Sequence, residues 1–335
     1  MNIGIECIEY YLPERKVTNQ DLQSLHPDWD VEKVGEKSGV FNRYIASKNE
    51  TALDLACNAV EKLSINEHIN LDEIDGIIFC TQSPDYIMPS NAFLIHKHFK
   101  FKNRVWAFDY NLACSGYVYG ISIARGMIMS GMGKKVLLIN GDTYSKYINT
   151  NDRSTSVLFG DGAAASIISV RNESGIIDIL LESSGEEFDS FYIPAGACRM
   201  PLSENTKELQ LDHSGNQRTL ENIHMNGFAV WKFISKTVPF QINNILDRNN
   251  LKMDDIKLFV FHQASKLTLD SLIKSLKIDA TKVYLNLDRV GNTVSASIPI
   301  ALKFAEVEGK ITKGDLILIS GFGVGLSWGT IILQY

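Results

Sequence analysis

Cysteine is scarce and unpatterned in this chain of 335 residues: there are five, at Cys7, Cys57, Cys80, Cys114 and Cys198, with no CxxC pair. An odd number without pairing motifs excludes a disulfide framework and a zinc ribbon, and fits a reducing cytoplasm. No HExxH motif occurs, and His96 and His98 sit two apart in a helical stretch, which points them in different directions. No metal site is expected from them. Long apolar runs are also missing, and nothing approaches the ~18 residues of a membrane span. The N-terminal "MNIGIECIEYYLPERK" carries acidic residues and a strand-like pattern, unlike a signal peptide. Positive charge is in deficit: 33 basic against 39 acidic residues give a net charge of -6. That excludes a general field for nucleic acid and leaves only local basic patches for an anionic partner.

The remaining composition is that of a soluble globular protein, with 45% apolar and 21% charged residues. Its length suits one large domain or two smaller ones with substantial cores.

An internal repeat organises the chain. Residues 71–83, "LDEIDGIIFCTQS", match 253–265, "MDDIKLFVFHQAS", with Asp, a second acid, Ile and a final Ser in register. "KKVLLINGD" (134–142) matches "GDLILISGF" (314–322), and two glycine-ended helical stretches, 114–131 and 292–309, correspond in the same way. "FGDGAAASIISV" (159–170) matches "GVGLSWGTIILQY" (323–335), with an extra loop around 143–158 in the first copy. The pattern predicts two β-α-β-α-β-β halves, 1–171 and 172–335, packed about a pseudo-twofold axis. Continuous apolar strands argue for mainly parallel sheets covered by helices. The glycine-rich 321–329 follows a strand, but strand-like "WGTIILQY" comes after it, so no helix N-terminus is offered to a pyrophosphate.

Under this symmetry Cys114 opens a helix in the first half, Asn292 lies near the equivalent helix start in the second, and His262 ends a strand. Strand ends and helix starts on one side of an α/β layer are where polar groups converge. A thiol, an imidazole and a carboxamide suit nucleophilic acyl chemistry: one group attacks and two hydrogen-bond a developing oxyanion. A helix N-terminus predicts a Cys114 thiol pKa below the unperturbed ~8.5. The same trio serves papain-like proteases, but the duplication and the lack of a CGSCW-like context count against that reading.

The chain resembles the thiolase-fold condensing enzymes, and most closely the β-ketoacyl-acyl-carrier-protein synthase III family. The resemblance runs end to end through "YYLPERKVTNQDL", "EKSGVFNRYIASKNET", "MPSNA", "NLACSGYVYG", "FGDGAAA", "FHQAS", "DRVGNTVSASIPIAL" and "GFGVGLSWGT". It implies an α/β fold, the thiolase-like αβαβα sandwich of two pseudo-twofold related halves, and a homodimer whose partner loop closes the acyl pocket. It implies that Cys114 accepts a primer acyl group. His262 and Asn292 then bind the malonyl thioester carbonyl and stabilise the enolate left by loss of CO2. The oxyanion hole is assigned to the backbone N–H groups of Cys114 and Val324, in a turn shaped by Phe322. Met88 falls where relatives place the partner-subunit residue at the end of the acyl pocket. The substrates implied are acyl-CoA or acyl-carrier protein and malonyl-carrier protein, with no permanently bound cofactor.

Departures from the family pattern cluster at the coenzyme A positions. Ser265 stands where relatives hold pantetheine with asparagine, and Leu267 where they carry arginine. Lys33 replaces the tryptophan that stacks on adenine, with Trp29 four residues out of register. Lys37 and Arg153 keep the positive charges used for CoA. Lys232 and Lys236 share one helix face, Lys266 and Lys274 lie on the next, and together they are read as a docking surface for an acidic carrier. The reading is a decarboxylating condensation in fatty-acid initiation or a dedicated pathway. The alternatives are an acyltransferase that passes the Cys114 acyl group to an alcohol or amine, a hydrolase, and a non-catalytic homologue.

Overall fold

A computed structural model describes residues 1–173 and 175–335. The strands that organise it are β1 (Asn2–Tyr11), β2 (Gly76–Cys80), β3 (Trp106–Tyr110), β4 (Lys135–Asp142) and β5 (Gly162–Arg171) in one sheet. The second sheet holds β6 (Gly175–Ser183), β7 (Leu258–Phe261), β8 (Leu316–Gly323) and β9 (Ser327–Gln334). The principal helices are α1 (Val31–Ser38), α2 (Ala52–Asn66), α3 (Asn91–His98), α4 (Gly116–Met129), α5 (Gly227–Arg248), α6 (Lys266–Leu276) and α7 (Ser297–Val307).

Strand order in the first sheet is β3-β2-β4-β5-β1, and in the second β7-β8-β9-β6. Aligned on β2 and β7, the two orders coincide strand for strand. Even the edge strand β3 has a vestige in the second half, the parallel bridge of Phe259 to Val283. The repeat read from sequence is thus a repeat of topology.

Alternate residues of the two-sided strands face different layers. Ile78 and Leu138 pack on the central helices α4 and α7, together with Val260 and Ile319 of the other sheet. Their neighbours Ile77, Phe79, Leu137 and Ile139 turn to α2, while Phe259, Phe261 and Leu318 turn to α5 and α6. The result is the thiolase-like αβαβα sandwich, with α4 and α7 buried between two sheets. Helix α4 can sit there because Tyr117, Val118, Ile121, Ala124 and Ile128 are apolar and buried.

The expectation of mainly parallel sheets fails. β2–β3, β2–β4 and β7–β8 are parallel, but β1–β5, β4–β5, β8–β9 and β9–β6 are antiparallel. Continuous apolar runs report burial on both faces, and here the helical layers cover antiparallel strands as well as parallel ones.

Candidate active site

Cys114 follows β3 and immediately precedes Ser115, the N-cap residue of α4. Backbone from the other half closes over it. A Cβ on Gly323 would stand 2.9 Å from the Cys114 sulfur, and one on Gly321 would stand 2.8 Å from the Cys114 carbonyl oxygen. Only glycine permits that approach. Past Gly323 the chain turns, and the turn is held: the Ser115 hydroxyl meets the Ser327 hydroxyl at 2.7 Å, and Ser327 donates to the Val324 carbonyl at 2.7 Å. The N–H of Val324, in this turn, and the N–H of Cys114 itself both act on the thiol.

His262 leaves the end of β7, and Asn292 precedes the turn Val294–Ala296 that leads into α7. Both are buried, and both line one cavity of ≈ 90 Å³ with Cys114, Ser265 and Phe322. Asn292 Oδ1 accepts the Val294 N–H at 3.0 Å, so its NH2 group is the end turned toward His262, 3.4 Å from Nε2. His262 Nδ1 pairs with the Ser297 hydroxyl at 2.7 Å. Phe322 stands edge-on to the imidazole with ring centroids 5.8 Å apart. Burial pushes the imidazole down to about 3, so the ring is neutral near pH 7.

The expected lowering of the thiol pKa does not occur. Burial, with repulsion from Asp142 behind it, pushes the Cys114 thiol up to about 12, against the pull of the two backbone N–H groups. Cys114 lies outside the first turn of α4 and is 4% exposed, so desolvation outweighs the helix terminus. Asp142 ends β4 fully buried, and neutral donors hold it: the Gln82 N–H at 2.8 Å and the Ser295 hydroxyl at 2.5 Å. Burial raises its carboxyl to about 7. The sequence signal for this residue is a carboxylate just past the apolar run "KKVLLIN".

On the other side of Val324 a chamber of ≈ 350 Å³ is walled by Tyr144, Tyr147, Phe191 and Gln82. Tyr144 and Phe191 also pack with Phe159 against Cys114, an aromatic wall the sequence did not reveal. Met88 is not part of it. It lies on the surface, 81% exposed beside the exposed Tyr86 and Ile87.

Residues 108–185 match a family model described as 3-oxoacyl-[acyl-carrier-protein] synthase III, and residues 246–335 match its C-terminal counterpart. A relative from Clostridioides difficile, beta-ketoacyl-[acyl-carrier-protein] synthase III, is 37% identical over 332 residues, covering 99% of this chain and 98% of its own. The chain belongs to the β-ketoacyl-acyl-carrier-protein synthase III family. A 2.1 Å crystal structure of a 3-oxoacyl-(acyl-carrier-protein) synthase III superposes with a TM-score of 0.97 at 36% identity over 100% of both chains. The Thermus thermophilus synthase III superposes at 0.87 with 32% identity over 99% of both.

Two outer groups of residues from the synthase III pattern gather separately. Lys37 on α1 and Arg153 line one cavity with Lys33 and Asp30, so the residue in the tryptophan position adds a third cation there. Ser265 serves as the N-cap of α6, accepting the Thr268 N–H at 3.3 Å, and also lines the cavity with the trio. Lys232 and Lys236 on α5, and Lys274 on α6, are exposed. The two helices touch at Ser235 and Ser271. Lys266 is exposed too, but it pairs with Asp270 on its own helix.

Proposed function

We propose that this synthase III joins an acyl primer to malonyl-acyl-carrier protein by decarboxylating Claisen condensation through an acyl-Cys114 intermediate. The observation that carries the reading is one cavity whose thiol faces two backbone N–H groups on one side and a neutral imidazole with a carboxamide NH2 on the other. In the first half-reaction Cys114 loses its proton and attacks the primer thioester. The carbonyl oxygen gathers charge between the N–H groups of Cys114 and Val324, and the departing thiolate takes a proton. In the second, His262 and Asn292 donate to the malonyl thioester oxygen while the carboxylate leaves as CO2. The electron pair of the broken bond becomes the enolate, whose carbon attacks the acyl-cysteine and releases the Cys114 sulfur. Donors preorganised in a dry site are effective because they need no reorganisation as charge develops.

The cationic cavity of Lys37 and Arg153 supports a CoA-borne primer, with the pantetheine arm running past Ser265 and Phe322. Lys232, Lys236, Lys266 and Lys274 support a docking face for an acidic carrier protein, with Lys266 the weakest contributor because of Asp270. A homodimer is supported by the uncovered edge of β3 and the exposed apolar Tyr86, Ile87, Met88 and Phe93. In such a dimer Met88 would reach the partner's primer chamber. The halves 1–171 and 172–335 act as two walls of one site, no resident cofactor is required, and the five free thiols suit the cytoplasm. No described helix is long and apolar enough to cross a membrane.

The test is labelled CO2 release from malonyl-carrier protein alongside product mass. His262→Ala and Asn292→Ala should each still acylate at Cys114 and lose about 10²–10³ in CO2 release. If the wild type releases no CO2 with any primer, yet transfers its acyl group to an alcohol or amine, the condensing function is wrong and simple acyl transfer replaces it.

A further inference from the structure

The role of His262 as a donor requires its proton on Nε2, and nothing in the imidazole itself dictates that. We propose that the Ser297 hydroxyl fixes the tautomer, donating to Nδ1 and so holding the ring proton on Nε2, where it faces the cavity. Ser297 is a positioning residue in this account, which rests on the condensing reading above.

Hydrogen-bond satisfaction at Ser297 separates the two tautomers. Ser297 is 2% exposed, and among the described residues its hydroxyl has one partner, His262 Nδ1 at 2.7 Å. A buried hydroxyl that accepted from Nδ1–H would leave its own proton without an acceptor, and burying an unpaired donor is costly. The competing assignment leaves Nε2 to accept from the Asn292 NH2, but that separation is 3.4 Å, long for a hydrogen bond. The short contact therefore decides the tautomer. The long one then acquires a meaning: two donors, each fixed from behind, point at one spot without bonding to each other. Asn292 is fixed through the Val294 N–H, and His262 through Ser297. That is the geometry of a site shaped for a single oxygen atom. A neutral ring carries one proton, so its location is a choice between two states, and burial holds this ring neutral.

The experiment is 15N NMR of the full chain labelled at histidine, with His262→Ala used to assign the ring signals. The wild type should show a protonated Nε2 and an unprotonated Nδ1. In Ser297→Ala, Nδ1 loses its donor while Nε2 keeps the nearby Asn292 NH2, so the proton should move toward Nδ1. CO2 release should then fall about 10²-fold, as for loss of one oxyanion donor, with single-turnover acylation of Cys114 unchanged. Ser297→Thr, which keeps the hydroxyl, should restore the Nε2–H signal. A wild-type ring protonated at Nδ1 would overturn the proposal, even if Ser297→Ala failed to fold. So would a Ser297→Ala enzyme that loses acylation and CO2 release by the same factor. Because the ring signals do not depend on turnover, a wrong tautomer and a wrong reaction give different results.

Discussion

Replacing Asp142 by asparagine should make the protein more stable at pH 8 than at pH 5, relative to wild type. The carboxyl is fully buried among neutral donors and titrates at about 7, against 3.8 for an unhindered aspartate. Between those values the folded chain holds a proton that the unfolded chain has released. Stability contributed by the protonated form is therefore present below pH 4 and lost as pH rises toward 7. A rise from 3.8 to about 7 corresponds to roughly 4 kcal/mol at pH 8, of which about a third has been lost by pH 5. Asparagine does not titrate and removes this term. It weakens the hydrogen bonds from Gln82 and Ser295 by about 1–2 kcal/mol, at both pH values alike. The stability change on substitution should thus differ by about 2–3 kcal/mol between pH 8 and pH 5. For a chain of this length that is about 3–4 °C in melting temperature. Thermal melts of both proteins at both pH values measure it. Alkylation of Cys114 should also speed up in the variant at pH 8, because Asp142 raises the thiol pKa by repulsion. A variant destabilised equally at pH 5 and pH 8 would refute the reasoning and make Asp142 an ordinary hydrogen-bonding residue.

Cys114→Ala should abolish acylation while the other four cysteines remain dispensable, with intact-protein mass spectrometry as the measurement; stable acyl transfer to protein lacking Cys114 would contradict it. Because burial raises its thiol to about 12, iodoacetamide labelling of Cys114 in the free enzyme should keep rising with pH beyond 9 and show no plateau near 8.5. Met88→Ala should shift the primer profile toward longer chains and leave folding intact; an unchanged profile would put the end of the pocket elsewhere. Paired Lys37→Ala and Arg153→Ala substitutions should raise KM for a CoA-borne primer several-fold, with a weaker salt dependence and little change in kcat. A primer on a carrier protein lacking the CoA nucleotide should be affected much less.

The duplication was legible because matching polar landmarks repeat in the chain: Asp-acid-Ile before β2 and β7, and glycine near the ends of β4 and β8. That Cys114, His262 and Asn292 gather at one cavity was legible because strand ends and helix starts are local features that symmetry then pairs. Strand direction was not, since two-sided burial imposes the same apolar run on β8 and β9 whichever way they point. The thiol's pKa is hidden from the sequence for a related reason. A helix terminus can be read from neighbouring residues, whereas desolvation depends on what the rest of the chain brings near: Gly321 and Gly323 from the other half, and Asp142 from β4. The partners of the cavity side chains escaped the sequence in the same way. Ser297 is one of two serines near the start of α7, beside Ser295, and only folding sets its hydroxyl 2.7 Å from His262 Nδ1. A sequence specifies local geometry through short-range propensity and pattern. The electrostatics of a buried group are set by contacts between residues far apart in the chain, and those exist only once the two halves have packed together.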